Sequence, residues 1–256
     1  MMSTGQEHVM LCEQYRMHPE IRRFPSTRFY GGRLVDAGSC IGGGGNVAPM
    51  VLSPYTVVDV VSGEERSWGG RGAGGLDNPC EARALADFAV WAASQALGTV
   101  VVITFYNGQA TLIRQLLRQR READAASTGQ AAGAAAVQVH TVDSFQGNEA
   151  DVVLLSFVRA NKVRRLGFLT EFRRLNVALT RAKRALVIFA NVRRLSAPGP
   201  EVAVGPVDDV GALFADAAAR GCVQSERWAK MLVKGRGGAA EDHRVVTKAS
   251  SPEPVP

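Results

Sequence analysis

Five short runs of apolar, mostly β-branched residues punctuate the chain: TVVDVV at 56–61, TVVVITF at 99–105, VQVHTV at 137–142, DVVLLSFV at 151–158 and ALVIFANV at 185–192. They are nearly continuous rather than alternating, the pattern of strands buried on both faces of a parallel sheet. Between them the period changes to that of a helix. Asn78 and Pro79 supply an N-cap and a first-turn proline, and EARALADFAVWAASQAL (81–97) then keeps its apolar residues on one face. Asn107 is placed to cap a second helix through GQATLIRQLLRQRREA (108–123), and a third begins near Thr170. Strands alternating with helices predict a doubly wound α/β domain, a mostly parallel sheet with helices on both faces.

The pattern breaks at GSCIGGGGN (38–46) and RSWGGRGAGG (66–75), which read as loops, and at ADAASTGQAAGAAA (123–136), which reads as a flexible insertion. A main domain over 9–195 is expected, preceded by a tail over 1–8 and followed by a helical extension over 196–233. The Gly-, Ser-, Pro- and charge-rich stretch 234–256 is expected to be disordered. The apolar fraction of 46% is enough to bury a core. No apolar run approaches the roughly 18 residues that span a bilayer. The opening MMSTGQEHVM lacks the charged-then-apolar pattern of a leader, so a soluble intracellular protein, cytoplasmic or nuclear, is the expectation. Cys12, Cys40, Cys80 and Cys222 are scattered without a C-x-x-C pair, and His8, His18, His140 and His243 are equally dispersed. Reduced thiols and no metal centre are expected.

Charge changes the picture. The net charge is only +6, but residues 159–194 hold eleven Lys/Arg against a single acid, Glu171. A basic block in an otherwise slightly acidic chain is either a local anion-binding device or a solvated basic face. Its densest part is RRLNVALTRAKRALVIFAN (173–191). At 100° per residue, Phe172, Leu175, Leu179, Ala182 and Leu186 form one apolar stripe. Arg174 and Arg181, seven apart, superimpose on another face. A helix of that kind docks on a sheet and presents two forked, permanently charged groups suited to phosphate oxygens.

Three further stretches bear on which anion this is: QYRMHPEIRRFPSTRFYGGRL (14–34), VVVITFYNGQ (100–109) and VHTVDSFQGNEADVVLLSFVRAN (139–161). With RRLNVALTRA, their order and wording resemble the second RecA-like domain of superfamily 1 helicases, in the subgroup of the nonsense-mediated decay helicase and senataxin. The resemblance spans about residues 9–195 and implies a RecA-like fold. It implies that Tyr15 would lie along the base and ribose of ATP and that Arg16 would reach the γ-phosphate. Gln146, Gly147 and Glu149 would form a turn in which the glycine allows close backbone passage and the carboxylate accepts hydrogen bonds from ribose hydroxyls. Arg181 would be the arginine finger, and Arg174 would either join it or anchor a structural carboxylate. Thr104, Tyr106, Thr141 and Ser144 fall at strand ends where relatives touch single-stranded RNA or DNA.

The chain also departs from that family. Phe105 stands where the fourth motif usually carries proline. No G-x-x-x-x-G-K-[ST] cradle occurs, and GGGG at 42–45 lacks the lysine and hydroxyl residue. Asp59 has no acidic neighbour and reads as structural. ATP and magnesium would then be held mainly by a first RecA-like domain, in cis or in trans, with this chain forming the opposing wall. The alternative is a non-enzymatic nucleic-acid-binding or regulatory remnant.

Overall fold

The chain winds a six-stranded sheet in the order β10-β3-β9-β8-β6-β7, every neighbouring pair parallel. A computed structural model describes residues 10–41, 51–68, 75–128, 137–197 and 208–235. In chain order the elements are β1 (Glu13–Gln14), α1 (Pro19–Phe29), β2 (Val35–Asp36), α2 (Gly38–Ile41), β3 (Tyr55–Asp59), β4 (Arg66–Ser67), β5 (Leu76–Asp77) and α3 (Pro79–Ser94). β6 (Val100–Thr104), α4 (Asn107–Thr128), β7 (Gln138–Thr141) and β8 (Ala150–Ser156) follow. A 3-10 turn (Gly167–Thr170), α5 (Phe172–Leu179) and β9 (Ala182–Ala190) come next, then α6 (Val192–Ser196), α7 (Asp209–Ala219), β10 (Val223–Ser225) and α8 (Glu226–Val233). The five apolar runs are the five long strands of the expected doubly wound α/β fold, which is RecA-like.

Their near-continuous hydrophobicity has a direct cause. Side chains alternate across a strand, and both faces of this sheet are covered. Val57, Val101, Ile103, Val153, Leu155, Leu186 and Ile188 pack on one face with Ile21 and Phe24 of α1, Leu175 and Leu179 of α5 and Leu213 and Phe214 of α7. Val58, Val100, Val102, Val152, Leu154, Val187 and Phe189 pack on the other with Leu85 and Phe88 of α3, Ile113 and Leu117 of α4 and Ala229 of α8. Each such buried side chain contributes about 1.5–3 kcal/mol, so a polar residue on either face of a central strand is costly.

The ends of the elements are set by local chemistry. Asn78 caps α3 by accepting from the Glu81 amide at 3.2 Å, with Pro79 in the first turn, as its sequence predicts. Asn107 is the first residue of α4 rather than its cap, since the Ala110 amide already reaches the Tyr106 carbonyl at 3.1 Å. α4 runs on to Thr128, into the tract expected to be a flexible insertion, because alanine is the best helix former. The rest of that tract, the 1–8 tail and 236–256 lie outside the described residues.

The arginine helix is shorter than its stripe implies. α5 stops at Leu179, where the Thr180 hydroxyl bonds back to the Asn176 carbonyl at 2.8 Å and its amide to the same carbonyl at 3.1 Å. Ala182 and Leu186 therefore belong to β9, not to a helical stripe. Arg174 and Arg181 do not share a helix face. The segment expected as a helical extension, 196–233, carries α7 and α8 and between them β10, which pairs with β3 as the sixth strand. Among the described residues no helix is long and apolar enough to cross a membrane.

Candidate functional site

A short loop leaving β1 carries the tyrosine–arginine pair, and a buried glutamine shapes it. Gln14 accepts from the amides of Arg16 and Met17 at 2.9 and 2.6 Å and donates to the Met17 carbonyl and Asp36 at 2.7 and 2.6 Å. At the end of the loop the His18 amide donates to the Lys183 carbonyl at 2.7 Å, tying it to the start of β9. With its backbone spent inward, the loop turns Tyr15 outward: the residue is 70% exposed and its hydroxyl donates to Glu13 at 2.7 Å. A large aromatic displayed on a braced loop offers a flat face to a ligand.

Beside it stand three cations and one carboxylate. Glu149 accepts from the Arg16 Nε at 2.5 Å through Oε2 and from the Lys183 Nζ at 2.8 Å through Oε1. The bond from Lys183, then that from Arg16, holds its carboxyl below the usual range. Arg16 also donates to the Thr180 carbonyl at 3.1 Å. Arg181 sits in the turn between α5 and β9. Its guanidinium donates to the Val177 carbonyl at 2.9 Å, the Thr180 hydroxyl at 3.2 Å and the Asn148 carbonyl at 3.3 Å. Carbonyls at a helix C-terminus favour a cation, but none of these acceptors is charged. Among the described residues no carboxylate forms an ion pair with Arg181. Burial, then the charge of Arg16, pulls its pKa below the ordinary guanidinium value. Arg181 is thus half-buried and crowded by a second arginine, with Glu149 acting on it only from beyond ion-pair distance.

Gly147 and Gln146 belong to the turn before β8. Gly147 has φ +89°, and a Cβ there would meet open space. The glycine is needed for the left-handed backbone, not for close passage of another protein group. Gln146 is exposed, its amide reaching the Asp143 carbonyl at 3.4 Å.

The remaining candidates lie apart. Arg174 is ion-paired with Asp143 and Glu171, each at 3.1 Å, and lies 4.8 Å over the Phe168 ring. Two carboxylates thus compensate its charge. Thr104, at the C-terminal end of β6, is fully buried with no partner for its hydroxyl, and Tyr106 is 1% exposed with its hydroxyl directed to the Leu166 carbonyl at 3.4 Å. Both side chains are turned into the core in this conformation. Thr141 and Ser144 bond each other, Oγ1 to Oγ at 3.1 Å, and close a turn in which Ser144 is exposed.

The basic block also divides. Arg159 pairs with Glu65 at 3.3 Å, and the buried Arg164 pairs with Asp208 at 2.7 Å; both brace loops rather than face solvent. Asp59 accepts from the Val192 amide at 3.0 Å at the start of α6, the structural role its isolation implied. Phe105 is buried edge-to-face against Phe157, ring centroids 5.5 Å apart. Sequence reasoning assigned no role to Lys183, Thr180 or Gln14. The signal for Lys183 was its position two residues past Arg181, but only the β8–β9 pairing shows that it meets Glu149.

The family described as "AAA domain" matches residues 1–193. The chain belongs to this family. Within it, the similarity is to superfamily 1 helicases of the nonsense-mediated decay and senataxin-like group. Helicase sen1 of Schizosaccharomyces pombe is 32% identical over 235 residues, 84% of this chain and 12% of that protein. Regulator of nonsense transcripts 1 of Dictyostelium discoideum is 32% identical over 201 residues, 77% of this chain and 14% of that protein. DNA-binding protein SMUBP-2 of Mesocricetus auratus is 32% identical over 200 residues, 73% of this chain and 18% of that protein. The chain thus spans less than a fifth of these relatives.

Helicases of this family depend on ATP and magnesium, and the residues present fit a nucleoside triphosphate. Arg16, Arg181 and Lys183 gather about Glu149, a carboxylate kept ionised, next to the exposed Tyr15, while Glu13 holds the tyrosine hydroxyl and Asp151 acts on Lys183. Among the described residues no three His, Cys, Asp or Glu side chains gather to hold a metal ion.

Proposed function

We propose that this chain is the second RecA-like half of an ATP-dependent RNA or DNA helicase and supplies the arginine finger. The observation that carries this is Arg181: half-buried, held by two carbonyls and a hydroxyl, beside a second arginine, and without a carboxylate partner. A partner domain bearing the lysine cradle would hold ATP and magnesium, which supply the transferable phosphoryl group and most of its charge neutralisation. Tyr15 would lie against the base and ribose, Glu149 would accept from a ribose hydroxyl, and Arg16 and Arg181 would meet the γ-phosphate. Arg181 is pre-aimed by neutral acceptors, so it meets charge developing in the transition state without first leaving a salt bridge. Closure of the cleft on ATP and its relaxation after hydrolysis would alternately grip and release a single strand crossing both domains.

The test pairs this chain with a matching cradle domain. Alone, the chain should turn over no ATP above background. Paired, Arg181→Ala should leave nucleotide affinity within a few-fold of wild type and lower saturated turnover by about 10³–10⁵. Arg181→Lys should restore little, since a point charge on a flexible stem lacks the fork. Near-wild-type turnover in folded Arg181→Ala would make Arg181 a structural or nucleic-acid contact and end this reading.

A further inference from the structure

Resting on that reading, one feature of the site conflicts with a static picture. Arg16 is assigned to phosphate and Glu149 to ribose, yet in the structure the two hold each other, Nε to Oε2 at 2.5 Å. A guanidinium that turns to a phosphate leaves this carboxylate oxygen. Glu149 would then stand, without its arginine, beside an incoming polyanion, which favours a carboxylate that turns away. Lys183 answers this. Its Nζ binds the other oxygen, Oε1, at 2.8 Å, so the departure of Arg16 leaves that bond intact and frees Oε2. Its backbone is fixed by pairing as well: Lys183 lies in β9, and its carbonyl accepts from His18 at the end of the loop that carries Arg16.

We propose that Lys183 is a positioning residue that keeps Glu149 in place while Arg16 transfers from Oε2 to the nucleotide phosphate. The bond exchange makes Glu149 a fixed ribose acceptor and Arg16 a moving phosphate ligand, with Lys183 as the stationary counter-charge. Lys183 itself touches no nucleotide in this scheme. Its side chain is 41% exposed, so its replacement should not unfold the domain.

The measurement is the affinity of the paired protein for ATP against 2′-deoxy- and 3′-deoxy-ATP, with ATPase kinetics on the same samples. A hydrogen bond to a charged group is worth roughly tenfold or more in binding, so wild type should favour ATP over one of the two deoxy analogues by about that factor. Glu149→Gln should abolish most of the preference. Lys183→Met should also abolish it, raising KM for ATP about tenfold while lowering kcat less, and Lys183→Arg should restore it. Lys183→Met with wild-type ribose discrimination, or a failure of Lys183→Arg to restore it, overturns the inference while leaving the nucleotide assignment standing. Absence of discrimination in wild type together with a silent Glu149→Gln overturns the ribose role of Glu149 and the inference with it.

Discussion

Glu81 is a buried carboxylate remote in sequence from the cations of the site, and its titration should be visible in the stability of the whole domain. It lies in the first turn of α3 with no exposed surface and accepts from the Ser156 hydroxyl at 2.5 Å and from the Val158 amide at 3.0 Å. Val158 has φ +69°, a conformation that β-branched residues avoid. Asn78 holds the Val158 carbonyl at 3.1 Å, and Gln109 joins Asn78 to Ser156. Burial pushes the Glu81 carboxyl from 4.5 up to about 7, against the bonds from Ser156 and Val158. The folded protein therefore holds this proton more tightly than the unfolded chain does. The stabilisation is complete below pH 4.5 and is lost as pH rises through about 7. At roughly 1.4 kcal/mol per pH unit, the interval corresponds to about 3 kcal/mol. His140, whose pKa is lowered by burial, acts in the opposite sense, and the raised Asp59 acts in the same sense from a lower pH. Both cancel when wild type is compared with Glu81→Gln. Urea unfolding of the two proteins from pH 4.5 to 8 should show the variant gaining on wild type by about 3 kcal/mol across the range. A flat difference within about 0.5 kcal/mol, or one of opposite slope, would refute the argument and mean that Glu81 is ionised in both states.

Two other outcomes are expected. Single-stranded nucleic acid should bind weakly and without sequence preference; with about two to four phosphates neutralised, log affinity should fall with log salt at a slope of roughly −1.4 to −2.8, and salt-independent binding would contradict it. Asp208→Ala should cost about 3–5 kcal/mol in a denaturant titration, because Arg164, whose side chain is 2% exposed, loses both carboxylate bonds and α7 loses its cap to the Gly211 amide; a loss under about 1 kcal/mol would show that water replaces the carboxylate.

The division between chain and fold follows the range of the physics. Burial on both faces leaves a local imprint, so the five long strands and the Asn78–Pro79 start of α3 are written in consecutive residues. β10 is not, because Val223–Ser225 is three residues long and becomes a strand only by pairing with β3. The end of α5 was equally hidden: Leu179, Ala182 and Leu186 fit a helical period, and it was the β8–β9 ladder that claimed Ala182 and Leu186. At the site, the motifs named Tyr15, Arg16, Glu149 and Arg181, and packing brings Arg16, Glu149 and Arg181 to the N-terminal ends of β8 and β9, with Tyr15 on the adjoining loop. Whether a cation is free or spent depends on what stands across from it, and that is set by segments far apart in the chain. Arg174 met Asp143 and Arg164 met Asp208, whereas Arg181 met only carbonyls and a hydroxyl. Eleven basic residues in one block look alike in sequence; the fold decides which of them meet a carboxylate, because electrostatic compensation is a property of neighbours in space.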